Sequence, residues 1–130
     1  MNSVLATMIT LYNPENIDWM GYKLTKKNPY TYHHIIKKEH RGAKTVENGA
    51  IITHNPHEYL HLIERIEPEM YDMINIVLEQ INIQQHQPIY RQYMAINAIL
   101  EEFESKHGED TNSKGNPLIK SVYYNRKYRR

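Results

Sequence analysis

Cysteine is absent from the 130-residue sequence, which excludes disulfide bonds and the Cys-x-x-Cys zinc knuckles of many small metal-binding domains. This absence also fits a reducing compartment. No apolar run is long enough to span a bilayer, and residues 1–12 lack the basic start and long apolar core of a signal peptide. No stretch resembles a phosphate-binding glycine loop or a nucleophilic serine site. We therefore expect a cytoplasmic protein without a membrane partner.

Net charge is also low, because 16 basic and 15 acidic residues leave a formal charge of +1. The two signs are nevertheless separated along the chain. Basic residues gather in 23–44 and again after Lys114, whereas 58–110 is mostly acidic. A basic face backed by an acidic helical part suits a nucleic-acid partner, although ordinary solvated surface would give the same pattern.

Histidine is abundant, and most of the eight histidines fall within residues 30–64. This stretch opens with Tyr30–Ile36, an aromatic and β-branched run that favours a strand. A basic loop containing Gly42 leads to a second predicted strand, Gly49–Thr53. The predicted order is strand, loop, strand and then helix.

The helix after the second strand is predicted to begin at Asn55, a suitable N-cap. Pro56 suits the first helical position, and Glu58 stands three residues after the cap. His57 and His61 are four residues apart, so they project from one face and could reach a single metal ion. The same spacing on a surface helix could leave both side chains in contact with water alone.

Together, residues 30–64 resemble the HNH endonucleases, also called ββα-metal or His-Me finger nucleases. The family pattern is His-His or Asp-His before an aliphatic residue, a glycine-bearing loop, an asparagine before aliphatic residues, and a helix with one or two histidines. The likeness covers roughly a quarter of the chain. The matching residues are His33-His34-Ile35-Ile36, Gly42, Asn48-Gly49-Ala50-Ile51-Ile52, His57 and His61.

The resemblance implies a role for each matched polar residue. His34 corresponds to the general base that deprotonates the attacking water, and Asn48 to the asparagine that pinches the loop and orients this base. His33, His57 and His61 correspond to ligands of one divalent metal ion. Imidazole ligands favour zinc, nickel or manganese, although cellular availability leaves magnesium open. Because adjacent strand residues point to opposite faces, His33 and His34 can share a site only where the strand end is twisted or bulged.

The implied activity is metal-dependent hydrolysis of DNA, with RNA not excluded, giving 5′-phosphate and 3′-hydroxyl ends. Small stand-alone nucleases of this kind resemble those of phages and mobile elements, so a phage or host protein partner and a homodimer both stay open. Basic side chains are expected to hold the nucleic-acid backbone without reading its sequence. They are Lys37, Lys38, Arg41 and Lys44 in the loop, and Arg126, Lys127, Arg129 and Arg130 near the C-terminus.

The segments on either side are expected to support residues 30–64. Residues 1–29 are predicted to form a lid with Trp19 in the core, and Val4–Leu11 could be helix or strand. Two amphipathic helices, Glu69–Gln84 and one from near Pro88 that Gly108 ends, are predicted to pair as an antiparallel hairpin. The expected fold is α+β, a ββα-metal finger backed by a C-terminal helical hairpin. Its parts are one nuclease domain (1–108), with the motif core in 30–64 and the hairpin in 69–107, and a flexible basic tail (109–130).

A second function is open to the same residues. The chain could be a nucleic-acid- or protein-binding module that cuts nothing and whose histidines hold a structural zinc. Such a site needs four closed protein ligands, which His54 or His40 would have to complete. A catalytic ion instead keeps an open position for water and phosphate.

Overall fold

The computed structural model describes residues 3–112, which form four helices and a two-stranded antiparallel sheet. The expected α+β class and the order strand, loop, strand, helix are confirmed. Short 3₁₀ turns at Lys38–His40 and Val46–Asn48 lie in the loop between the strands. None of the helices within 3–112 is long and apolar enough to cross a membrane. The elements are α1 Ser3–Tyr12, β1 Tyr30–His34, β2 Gly49–Thr53, α2 His54–Ile66, α3 Pro68–Ile83 and α4 Tyr90–Asn112.

The sheet pairs β1 with β2 in a register that sets Tyr30 opposite Thr53 and His34 opposite Gly49. The predicted bounds of β2 are confirmed, whereas β1 ends two residues earlier than predicted. The backbone N–H of Ile36 donates to Oδ1 of Asn48 at 2.8 Å, and its carbonyl accepts from the same amide at 3.0 Å. One more backbone bond follows the strand, from the N–H of Ile35 to the carbonyl of Asn48 at 2.9 Å, and at Ile36 the Asn48 side chain takes the place of a partner strand.

Residues 18–22 cover the outer edge of β2. The Trp19 N–H donates to the carbonyl of Ile51 at 2.9 Å, and the Trp19 side chain is buried. The buried Asp18 carboxylate accepts from the N–H and hydroxyl of Thr53 at 2.7 and 2.6 Å. The expectation that Trp19 lies in the core is confirmed, and α1 settles Val4–Leu11 as helix.

The predicted N-cap of α2 is wrong. The helix begins at His54, with Thr53 in the cap position, and no side-chain cap bond forms there because the Thr53 hydroxyl is engaged by Asp18. The N–H of Asn55 is satisfied from elsewhere in the chain, since it donates to Oδ1 of Asn28 at 2.7 Å. The helix start is therefore fixed by tertiary contacts.

The last two helices form the predicted antiparallel hairpin. Glu67, at the start of α3, lies 3.0 Å from Nε2 of His107 near the other end of α4. Gln85, just past the end of α3, donates to Gln92 in the first turn of α4 at 2.8 Å. Pro68 separates α3 from α2, since proline cannot continue the preceding helix and suits a first turn.

The predicted end of the second hairpin helix at Gly108 is also wrong, because α4 continues to Asn112. Glycine within a helix costs only about 1 kcal/mol, and none of the eight residues after Gly108 is a proline that would end the helix. The predicted tail therefore starts in helical backbone. Residues 113–130 lie outside the described residues. They include the candidate phosphate contacts Arg126, Lys127, Arg129 and Arg130.

Candidate active site

The histidines of β1 and α2 meet in a cavity of about 270 Å³, which we call the histidine cleft. Strand β1 forms one wall, α2 a second, and α3 closes the back with Tyr71. The cleft is lined by Tyr32, His33, His34, Lys37, Lys38, His57, His61, Glu64 and Tyr71.

His33 and His57 face each other across the cleft. Nδ1 of His33 lies 3.3 Å from Nε2 of His57. The far side of each ring is held by a second residue. Nε2 of His33 lies 2.8 Å from Oδ1 of Asn75, and Nδ1 of His57 lies 2.7 Å from the hydroxyl of Thr31. His33 is almost fully buried, at 2% exposure.

These partners assign the tautomer of each ring. The Thr31 hydroxyl donates to the carbonyl of Ile52 at 2.6 Å, so it accepts from His57, whose hydrogen is then on Nδ1. Oδ1 of Asn75 is an acceptor, so the hydrogen of His33 is on Nε2. Both facing nitrogens, Nδ1 of His33 and Nε2 of His57, are therefore unprotonated lone-pair donors.

Neither ring takes up a second proton at neutral pH. Burial lowers the pKa of His33 to about 4, against the opposing hydrogen bond to Asn75. Burial, and then the nearby charges of His33 and His61, lowers the pKa of His57 to about 3. Two neutral imidazoles that aim lone pairs at each other repel, and a cation between them would turn that repulsion into binding.

The spacing of the pair suits a transition metal. With Zn–N bonds of about 2.1 Å, two tetrahedral nitrogen ligands stand about 3.4 Å apart. The observed separation between Nδ1 of His33 and Nε2 of His57 is 3.3 Å. With an ion in place, Thr31 and Asn75 would be outer partners of the kind that orient metal-binding imidazoles.

His61, the third proposed ligand, is placed differently. Its ring centroid is 4.9 Å from that of His57 and 6.2 Å from that of His33, but its Nδ1 is turned toward Oε1 of Glu64 at 3.3 Å. No group of three His, Asp or Glu side chains in residues 3–112 is already arranged to hold a metal ion. The structure thus brings two proposed ligands together, whereas His61, half exposed, contacts Glu64 and has its ring farther from His33.

His34 lies at the rim of the cleft. It is the last residue of β1, and its position at the strand end lets it line the same cavity as His33 despite the alternation of the strand. Its ring packs edge-on to Tyr32 at 4.9 Å. Partial burial, reinforced by the positive charges of Lys44 and Lys38, lowers the pKa of His34. The lowered pKa favours the neutral ring, whose lone pair is the group that a general base needs.

Asn48 closes the loop between the strands but does not touch His34. Its Nδ2 donates to the carbonyls of Ile36 and Ala43 at 3.0 and 2.9 Å, and its Oδ1 accepts from the N–H of Ile36. Direct orientation of the base by Asn48 is therefore not seen among the described contacts. Asn48 instead sets where β1 ends, and so where His34 stands.

Gly42 is required in this loop for space. A Cβ at this position would lie 1.7 Å from the carbonyl oxygen of Ile36, which no side chain could tolerate. The N–H of Gly42 donates to the carbonyl of Lys37 at 2.8 Å. Glycine therefore lets the backbone of Gly42 pass close to that of Ile36. The Asn48 side chain holds the same part of the loop through its hydrogen bonds to Ile36 and Ala43.

The basic loop residues differ in what they contact. Lys37 forms an ion pair with Glu64, and its Nζ lies 5.6 Å from the ring centroid of Tyr71. Burial disfavours the charged form of Glu64, but hydrogen bonds from Lys37 and His61 outweigh it and lower the pKa of the carboxyl. Lys38, Arg41 and Lys44 are exposed and open to a phosphate backbone.

Sequence reasoning missed Thr31, Asn75 and Glu64. Thr31 carried a weak signal, because it is two residues before His33 and so on the same face of the strand. Asn75 follows Tyr71 by four residues and interrupts the apolar stripe of α3, a polar residue that needed a partner. The partner itself, 42 residues away, could not be read from the sequence.

The two residues proposed to complete a structural zinc site lie elsewhere. His54 is half exposed and pairs with Glu58 at 3.3 Å, and His40 is exposed in the loop. Neither lines the histidine cleft.

Comparison of the chain with protein-family models, with curated proteins and with solved structures finds no match.

Proposed function

We propose that the protein is a metal-dependent endonuclease of the ββα-metal type that hydrolyses phosphodiester bonds in DNA. The observation that carries the proposal is the pair of unprotonated nitrogens on His33 and His57, 3.3 Å apart and each fixed by an outer partner. The resemblance of residues 30–64 to HNH endonucleases, which led us to expect this pair of ligands, also supports it. His34 at the rim supplies a proton acceptor beside that pair.

His33 and His57 would hold one divalent ion, with His61 as the third ligand. Such an ion supplies charge stabilisation for the non-bridging phosphate oxygens and the departing 3′ oxygen. Zinc, nickel and manganese suit imidazole ligands best, and magnesium stays a candidate through its abundance.

The protein residues account for the remaining requirements of the reaction. His34 accepts a proton from a water molecule whose oxygen bonds to phosphorus while the bond to the 3′ oxygen breaks. The departing oxygen takes a proton from solvent. Lys38 and Lys44 lie next to His34, where their charges depress its pKa, so they are placed to pair with the same phosphate that the water attacks. Asn48 keeps the rim in place by fastening the loop.

Nicking of supercoiled plasmid by purified protein tests the proposal. Magnesium, manganese and zinc are each supplied, with EDTA as the metal-free control. His34→Ala leaves the proposed ligands in place, and we expect it to reduce cleavage by roughly 10²-fold to 10⁴-fold, the usual contribution of a positioned base. His54→Ala is the matched control, since it removes an exposed histidine from the same region and should cut normally.

Zinc binding without any cleavage of plasmid, single strands or RNA would instead favour the binding module with a structural metal. Equal cleavage by His34→Ala and the parent protein would show that His34 is not the base. Cleavage of RNA in preference to DNA would keep the mechanism and change the substrate, because a site that grips phosphates does not by itself distinguish the sugars.

A further inference from the structure

Strand β1 also borders a second, larger cavity of about 640 Å³, which we call the tyrosine pocket. Its size falls within the range of small-molecule sites in proteins. Tyr30, Tyr32 and His34 belong to one face of the strand, opposite to His33, and the pocket lies along that face. The pocket is lined by Leu5, Leu24, Pro29, Tyr30, Thr31, Tyr32, His34 and Lys44.

The tyrosine pocket and the histidine cleft share a wall. Tyr32 and His34 line both cavities, so His34 stands at the junction between them. A chain bound with one phosphate in the histidine cleft would pass over the end of β1. Its neighbouring unit would then meet the opening of the tyrosine pocket.

The lining of the pocket has the chemistry of a nucleotide site. Its walls are the rings of Tyr30 and Tyr32 with apolar side chains such as Leu24, and within residues 3–112 no carboxylate lines it. Lys44 also lines the pocket, and its Nζ lies 5.9 Å from the ring centroid of Tyr32. Aromatic surfaces that stack bases, next to a cation that pairs with phosphate, are the usual means of holding single-stranded nucleic acid.

The segment that supplies Leu24 to the pocket is itself basic. Lys23, Lys26 and Lys27 are all exposed on it. The positive rim complements a polyanion, whereas a neutral apolar ligand would gain nothing from it.

We propose that the tyrosine pocket binds one unpaired nucleobase of the substrate strand, adjacent to the phosphodiester that the histidine cleft would cut. This inference rests on the proposed endonuclease function. A base inside a duplex is stacked and paired and cannot enter the pocket, so the nucleotide has to be single-stranded or flipped out. The protein thereby selects unpaired DNA over continuous duplex.

The test measures binding in EDTA, where no cleavage occurs. The anisotropy of a fluorescein-labelled oligothymidylate and of a labelled duplex of equal length reports the two affinities. Leu24→Trp fills the pocket, and Leu11→Trp, at an α1 position that is 64% exposed, is the matched control. We expect Leu24→Trp to weaken single-strand binding by at least about fivefold, the lower end of the stacking contribution of one base, with duplex binding unchanged.

A second variant guards against misfolding of the first. Tyr30→Leu removes an aromatic wall but keeps apolar bulk, and the bond that its hydroxyl donates to the carbonyl of Ile17 is long, at 3.4 Å. It should weaken the same oligothymidylate by a similar factor. Unchanged single-strand affinity in both folded variants, or equal losses for duplex and single strand, would overturn the proposal.

The two proposals fail in different ways. If the parent protein nicks plasmid and both pocket variants bind and cut single strands normally, base binding in the tyrosine pocket is refuted and the endonuclease proposal is retained. If single-strand binding depends on the pocket but no metal supports cleavage, the pocket is retained as a binding site and the endonuclease proposal is refuted. A preference for supercoiled over relaxed plasmid, which contains fewer unpaired bases, is the expected result where both hold.

Discussion

The buried imidazole of His33 makes the stability of the metal-free protein depend on pH. Burial lowers its pKa to about 4, whereas an unfolded histidine has a pKa of 6.5. Between these values the unfolded chain binds a proton that the folded protein does not. Stability is therefore fully present above pH 6.5 and declines as the pH falls toward 4.

The size of the effect follows from the shift. At about pH 5 the unfolded residue is protonated and the folded one is not, so His33 lowers the free energy of unfolding by about 2 kcal/mol relative to neutral pH. His57, whose pKa is lowered to about 3, acts in the same direction. A loss of this size is a large fraction of the 5–15 kcal/mol typical of small domains.

Urea unfolding in EDTA at a series of pH values measures this loss. Trp19 is the single tryptophan and is 1% exposed, so its fluorescence reports unfolding of the core. His33→Gln keeps a donor for Asn75 but removes the titrating group. We expect the stability of this variant to fall less steeply with decreasing pH, whatever its stability at neutral pH.

Zinc provides a second arm of the same experiment. Ligand binding to the folded state alone raises the free energy of unfolding, and protons compete for the ligand nitrogens, so zinc should stabilise the protein at neutral pH and less at about pH 5. The same pH slope in His33→Gln as in the parent protein would refute the assignment of a neutral buried imidazole. Equal stabilisation of both proteins by zinc would refute its role as a ligand.

Three further changes test the surroundings of the cleft. Asn75→Leu should weaken zinc binding by about 10-fold to 100-fold and shift the His33 ring toward its other tautomer, which titration calorimetry and nitrogen NMR measure. Gly42→Ala should destabilise the fold by about 1–3 kcal/mol in urea unfolding, because its Cβ would lie 1.7 Å from a backbone oxygen; a stable variant would show that the loop can move. Lys37→Met should reduce duplex affinity in EDTA less than Lys38→Met does, because the charge of Lys37 is already taken up by a carboxylate; equal losses would contradict this.

Features that depend on a few neighbouring residues could be predicted from the sequence. All five residues of β2 are buried, and its centre is the apolar run Ala50-Ile51-Ile52. Pro68 is the first residue of α3. Both elements are predicted to within one residue from these local signals. His57 and His61 fall on one face of α2 because that follows from helical geometry alone. The convergence of His33 with His57 was expected only through the family resemblance.

Features that depend on distant partners could not be predicted in this way. Asn55 has the right residue type for an N-cap, but Thr53 and Asn28 make contacts that place the cap two residues earlier, at Thr53. Gly108 is a typical helix stop, yet α4 passes through it. In each case a local preference worth about 1 kcal/mol gives way to the rest of the fold.

The end of β1 shows how a long-range contact positions the candidate base. Two adjacent residues of a regular strand point to opposite faces, and continued pairing beyond His34 would hold its ring on the side away from His33. The Asn48 amide prevents that continuation by taking both backbone groups of Ile36. His34 is thereby the last residue of β1, where it borders the histidine cleft on one side and the tyrosine pocket on the other. Asn48 thus positions His34 by ending β1 at that residue, without contacting the His34 ring.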